Sequence, residues 1–267
     1  MNHLLRGHAP ITDERWAEID EEARERLTTA LGARRLVDFD GPKGWQYSAT
    51  NLGRVEPVAK APIDGLEAAQ RRVLPLSELR APFKISRKEL ADGDRGAADV
   101  DLDDLDEAAM RIARAENVAV LHGWAQASIA GVTEATTHAV VKLGEAFEDY
   151  PNHVAKAVQL LLKSGIEGPY AIALGSDAYT GVVETTEHGG YPLLDHLRKI
   201  LEGPVVWTPG VTGAVVVSLR GGDFLFESGQ DLSIGYSHHD ADDVHLYIEE
   251  SFSFRVATPE AAVSLQP

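Results

Sequence analysis

Residues 54–85 constrain this chain more than any other segment. They carry Val55, Val58, Ile63, Leu66, Val73, Leu74, Leu76, Leu79, Phe83 and Ile85, interrupted by Pro57, Pro62, Gly65, Pro75 and Pro82. Prolines at that density forbid a helix, so the segment is predicted to form two extended arms meeting near Ile63–Gly65. Each arm of about 15 residues would reach roughly 50 Å at about 3.3 Å per residue. A two-stranded ribbon that long cannot bury its own apolar side chains. It needs a neighbouring surface, and in an assembly that surface belongs to another copy.

The rest of the chain supplies an ordinary core. Of 267 residues, 44% are hydrophobic and 25% charged, which fits one large or two interlocked domains. No run of about 18 apolar residues occurs, so no membrane segment is expected. The opening Met1–His8 lacks a basic region followed by an apolar stretch, which argues against a secretory signal. The absence of cysteine excludes disulfides, thiolate metal sites and cysteine nucleophiles, and the cytoplasm is the expected address. A net charge of −17 repels phosphate backbones, so nucleic acid is not an expected partner.

Periodicity places the elements. Residues 12–32 read as an amphipathic helix: Thr12 caps it, Asp13 and Glu14 suit its dipole, Trp16, Ile19, Ala23, Leu27, Ala30 and Leu31 form one stripe, and Gly32 stops it. Short strands are expected at Leu36–Phe39 and Trp45–Thr50. After the acidic, turn-rich stretch 92–104, a long helix should run to about residue 121, burying Leu102, Leu105, Ala109, Ile112 and Ala113. Pro151 opens another helix with Val154, Val158, Leu161 and Leu162 inward, followed by a buried strand at Tyr170–Leu174, helices from Ser176 and from Pro192 to Leu201, and strands at Val205–Trp207 and Ala214–Leu219. Near the end Phe224, Phe226, Leu232, Ile234 and Tyr236 share a face, and Val244–Val256 alternates with period two except at Glu250. The expected class is mixed α+β.

Chemistry is sparse. The nucleophile elbow, the phosphate-binding loop, the dinucleotide fingerprint and His-Glu-x-x-His are all absent. His238-His239-Asp240 with Asp242 reads as a solvated hairpin turn, because adjacent strand residues point to opposite faces. Glu249-Glu250 diverge for the same reason, and Glu249 reads as a solvated edge or interface charge. Glu187-His188 with Asp195 reads as a polar loop, and the aspartates of 92–104 lack a calcium-loop pattern. No catalytic residue, metal ligand or cofactor is expected.

A resemblance runs through nearly the whole length. Leu4-Leu5-Arg6, Ala9-Pro10-Ile11-Thr12, Ile19 to Ala23, Arg34 to Phe39, Gly41-Pro42 and Gly44-Trp45 are followed by Leu79 to Phe83, Gly168-Pro169-Tyr170, His188 to Leu193, Arg220 to Phe224, Gly229 to Tyr236 and Glu250 to Phe254. In this order and spacing the chain resembles the encapsulin shell proteins (linocin type, family 1), relatives of tailed-phage capsid proteins.

That resemblance implies the Hong Kong 97 capsid fold, with an N-terminal helix region at 1–40, a peripheral domain of 41–53, 86–131 and 221–267, an extended loop at 54–85 and an axial domain at 132–220. It implies a homo-oligomeric icosahedral shell of about 60 subunits or a larger icosahedron. Such shells hold a cargo, commonly a dye-decolourising peroxidase or a ferritin-like protein, through a C-terminal targeting peptide. Leu27, Leu31, Arg34, Leu36, Asp38, Leu232 and Ile234 are the residues expected to bind that peptide, with core packing and an Arg34–Asp38 ion pair as the alternative. His188, Gly189, Gly190 and Tyr191 fall where the family's five-fold pore loop lies. A phage or prophage capsid protein, a secreted bacteriocin and an enzyme stay open as other readings.

Overall fold

Thr12 begins the first helix as its spacing asks: the hydroxyl accepts the backbone N–H of Arg15 at 3.3 Å, opening α1 (Asp13–Ala30). The structure, a computed structural model, describes residues 3–144, 146–186 and 190–267. A 3-10 turn at Ala33–Arg35 leads to β1 (Asp38–Asp40), then β2 (Ala49–Val58), β3 (Ala68–Pro75), β4 (Ser77–Ser86), α2 (Arg87–Asp94) and the long α3 (Asp103–His122). The middle of the chain holds α4 (Val132–Ala135), β5 (Val141–Lys142), α5 (Tyr150–Lys163), β6 (Tyr170–Leu174), α6 (Ser176–Glu184), α7 (Leu193–Leu201), β7 (Val205–Trp207) and β8 (Ala214–Ser218). The end is β9 (Phe224–Ser228), β10 (Ser233–His239), β11 (Asp243–Val256) and β12 (Ala262–Gln266). No described helix is long and apolar enough to cross a membrane.

Among the described residues the strands form two five-stranded sheets and one two-stranded ribbon. The first sheet is organised by β11. Phe252 is paired with both Ser77 and Ser228, so β4 runs along one edge of β11 while β10 and β9 follow one another along the other. β1 closes this sheet in parallel with β9. The second has the order β5-β12-β8-β6-β7. Its central strands β6 and β8 are buried at every residue, which is why their sequences are continuous apolar runs instead of alternating ones.

Two cores result. One packs the stripe of α1 (Trp16, Ile19, Ala23, Leu27, Ala30) against α3 and the inward residues of β4, β10 and β11. The other packs α5, α7 and the end of α3 against the second sheet, together with Phe224, Phe226, Phe252 and Phe254. The expected shared face of 224–236 therefore divides: the two phenylalanines serve one core, and Leu232, Ile234 and Tyr236 serve the other. Asn117 locks the end of α1 onto this frame. Its buried amide donates to the carbonyls of Ala30 (2.9 Å) and Pro209 (3.0 Å), and its Oδ1 accepts the N–H of Ala33 at 2.9 Å.

Several expectations need correction. The ribbon is β2 with β3, paired from Ala49–Pro75 to Val58–Ala68; the second arm beyond Pro75 leaves it, because β4 pairs with ten residues of β11. The extended segment is thus displaced toward the N-terminus of 54–85, and its strands are ten and eight residues long. β12 joins the sheet of the middle segment instead of staying with 221–261. β1 starts only at Asp38, and β2 only at Ala49, leaving Trp45 in a turn and 53% exposed. Leu162 faces outward, because the buried line of α5 is Tyr150, Val154, Ala157 and Leu161. Gly32 stops α1 without a left-handed conformation. Its φ is −64°, and a Cβ there would lie 2.5 Å from the Trp207 carbonyl oxygen, so the glycine permits backbone contact.

The ribbon meets its expectation in the respect that matters. Val55, Val58, Ile63, Leu66 and Val73 remain 44–70% exposed.

Candidate functional site

The exposed side of the α1 stripe does not close completely over β10. Between them lies a groove of about 440 Å³, within the range of ligand and peptide pockets. Ala23, Leu27 and Leu31 form one apolar wall; Leu232, Ile234 and Ile248 form the other. The spacing of the first set is the helical repeat of four; in the second, Leu232 and Ile234 are two residues apart and Ile248 of β11 is paired with Ile234.

The N-terminal segment makes the groove's end. Leu4 lines it, and the Leu4 carbonyl accepts the N–H of Tyr236 at 2.8 Å, tying this turn to β10. Arg6 forms a bidentate pair with Asp20 (3.0 and 2.7 Å), and its guanidinium lies 3.9 Å from the centre of the Trp16 ring. His3 Nε2 lies 2.7 Å from Glu249 Oε1. The loop before β10 is equally fixed: Gln230 Nε2 donates to Ser233 Oγ at 2.7 Å, Ser233 Oγ donates to the Asp231 carbonyl at 2.8 Å, and the N–H of Leu232 donates to Asp231 Oδ1 at 2.8 Å. This turn presents Leu232 to the groove.

At the opposite end sits Arg34. Its guanidinium is surrounded by three carboxylates: Glu116 at 2.6 Å, Asp231 at 2.7 Å and Glu250 at 3.0 Å. Glu116 and Glu250 are buried, and Asp231 reaches the groove. Burial opposes the charge on Arg34, yet Glu116, Glu250 and Asp231 outweigh it and hold the guanidinium more basic than usual. Three negative charges against one would leave an excess. Burial, with Glu116 alongside, pushes the Glu250 carboxyl well above the usual range, which favours its neutral form.

The structure brings together Leu27, Leu31, Arg34, Leu232 and Ile234 around this groove. It does not bring Leu36 or Asp38. Leu36 is buried in the second core, and Asp38 Oδ2 accepts the N–H of Gly222 at 2.8 Å; both line a separate small hollow beside Ser218 and Asp223. The anticipated Arg34–Asp38 pair is replaced by the Glu116, Asp231 and Glu250 cluster, because the 3-10 turn directs Arg34 toward α3 and β11 while β1 carries Asp38 away. Glu249 is likewise not a solvated charge: it is buried, and it meets Arg80 at 2.7 Å as well as His3. Glu116 was legible in principle, since it continues the buried line Ala109, Ile112, Ala113 of α3.

Of the expected pore loop, His188 and Gly189 lie outside the described residues. Gly190 has φ +80°, and Tyr191 is exposed, with Lys199 Nζ 4.8 Å from its ring centre and His196 edge-on at 6.3 Å.

Comparison with known proteins bears on the whole chain. Residues 1–253 match the linocin-type family described as "encapsulating protein for peroxidase". The type 1 encapsulin shell protein of Rhodospirillum rubrum is 48% identical over 271 aligned positions, covering 100% of this chain and 97% of that one. A solved virus-like particle from Pyrococcus furiosus superposes with a TM-score of 0.65 at 18% identity, covering 95% of this chain and 100% of that one. The capsid of an empty GTA particle gives 0.55 at 17%, covering 88% and 89%. The fold is therefore the phage-capsid fold of the Hong Kong 97 type, and the chain belongs to the type 1 encapsulin shell protein family.

Proposed function

We propose that the protein is the structural subunit of an icosahedral nanocompartment and that the groove between α1 and β10 holds a targeting peptide carried by the enclosed cargo. The observation that carries the shell reading is the ribbon β2–β3 with its connecting turn, where Val55, Val58, Ile63, Leu66 and Val73 stay exposed. A closed assembly of identical copies covers them without further partners. The compartment resides in the cytoplasm, and the subunit works as a wall, not as an enzyme. The family description and the name of the Rhodospirillum relative support this role. A peroxidase is the cargo class that the family description favours, with a ferritin-like protein as the other expected class.

In the shell, β2–β3 serves as the extended loop. The sheet around β11 with α1 and α3 serves as the peripheral domain, the sheet of β5 to β8 with β12 serves as the axial domain, and Gly190 and Tyr191 belong to the pore loop. For the groove, supporting features are its two apolar walls, its fixed ends and the acceptor oxygens of Asp231. A short peptide with small apolar side chains would seat them between Leu27, Leu31, Leu232 and Ile234 and order its backbone along the edge of β10.

Co-expression with a cargo protein tests the groove. Leu27→Asp places a charge on the apolar wall and is expected to reduce captured cargo at least about tenfold while particles still form. Full loading of Leu27→Asp particles would move the docking site elsewhere.

A further inference from the structure

The turn end of the β10–β11 hairpin lies outside the residues that line the groove and carries a second donor set. The geometry points to a divalent transition-metal site formed by His245, Asp240 and Asp243. One ligand atom from each residue can be chosen so that all three lie within 4.8 Å of one another. His245 Nε2 and Asp240 Oδ2 are 3.1 Å apart. Two ligands on one tetrahedral ion at about 2.0–2.1 Å stand roughly 3.3 Å apart, so an ion can replace that hydrogen bond with little movement.

The surroundings orient the donors. Asp240 Oδ1 accepts the backbone N–H groups of Asp242 (2.9 Å) and Asp243 (2.8 Å), which aims the carboxylate and leaves Oδ2 toward His245. The register of β10 shifts between Tyr236 and His238, and this irregularity sets His238 directly opposite His245. The two imidazoles stack at 4.2 Å with 6° between their planes, fixing the His245 ring. Such outer contacts hold ligand geometry in metal sites. An extended strand alone would have sent His238 to the other face, which is why adjacency in the sequence hid the arrangement. Of the sequence candidates His238, His239, Asp240 and Asp242 this set keeps only Asp240, since Asp243 and His245 come from β11, across the turn.

Lys84 of β4 reaches Asp243 Oδ2 at 2.7 Å with a half-exposed side chain. Its ammonium holds the position that an ion's charge would take, and it can swing into solvent. One imidazole with two carboxylates suits zinc or nickel, whereas magnesium and calcium prefer all-oxygen sets. An ion here would tie the turn to β11 in every subunit and add to stability by binding the folded form only.

The test titrates zinc into assembled full-length protein by calorimetry, with magnesium as the hard-cation control and the melting temperature followed in parallel. Saturation at about one zinc per subunit, with a raised melting temperature, is expected. His245→Ala should weaken binding about tenfold or more, and Lys84→Met should tighten it several-fold. His138→Ala, whose Nε2 lies 3.0 Å from the Glu260 carbonyl oxygen, should bind as wild type. Non-saturating uptake over the acidic surface, or His245→Ala and Lys84→Met titrating like wild type, would overturn the site.

Discussion

Glu250 shows how a single side chain joins the two cores. It interrupts the alternation of β11 at a buried position, and this is tolerated because Arg34 and Glu116 are there to meet it. Its ordinary value is 4.5 and the folded value lies well above, through burial first and Glu116 second. The folded protein therefore binds this proton more tightly than the unfolded chain. The associated stability is full below about pH 4.5 and is lost as pH rises through the raised folded value. Glutamine mimics the protonated carboxyl at every pH. The melting temperature of Glu250→Gln should match wild type in acid and exceed it increasingly toward alkaline pH; a difference independent of pH would contradict this account. The break at Glu250 was visible in the sequence, but its partners were not. They come from positions 34, 116 and 231, which only the packing of α3 against β11 brings together.

At the scale of elements, periodicity was informative wherever an element faced one core. The stripe of α1, the buried runs of β6 and β8 and the length of α3 could all be read from spacing. It failed where one apolar run serves two structures. The run from Val73 to Ile85 is continuous in composition, yet Pro75 ends the ribbon and Ser77 starts a strand of the main sheet. Partner choice by β11 decides that division, and no local signal encodes it. Half of the groove was legible because Leu27 and Leu31 sit on the helix stripe. Leu36 and Asp38 lie outside the groove because the turn Ala33–Arg35 carries the chain away from it. The ribbon itself yields a direct prediction. Paired substitutions Ile63→Asp and Leu66→Asp alter side chains that are 70% and 62% exposed, so the subunit should keep its far-ultraviolet dichroism. Assembly should fail or weaken, as seen by size exclusion; particles of unchanged stability would show that these residues meet no neighbour.

For the whole molecule, the surface combines a net charge of −17 with exposed apolar side chains, of which Val55, Val58, Ile63, Leu66 and Val73 share one ribbon and Trp45, Leu162 and Val183 lie elsewhere. Charge alone disfavours close approach of copies, so association rests on apolar surface, to which the ribbon contributes the largest set of neighbouring side chains. The capsid fold and the family membership agree with that division of labour. The most direct measurement is the mass of the purified full-length chain by light scattering with negative-stain microscopy, in the absence of any cargo. Hollow particles of at least about 1.7 MDa, from about 60 copies of a 28.9 kDa chain, are expected. A monodisperse species at the mass of one chain under native conditions would contradict it.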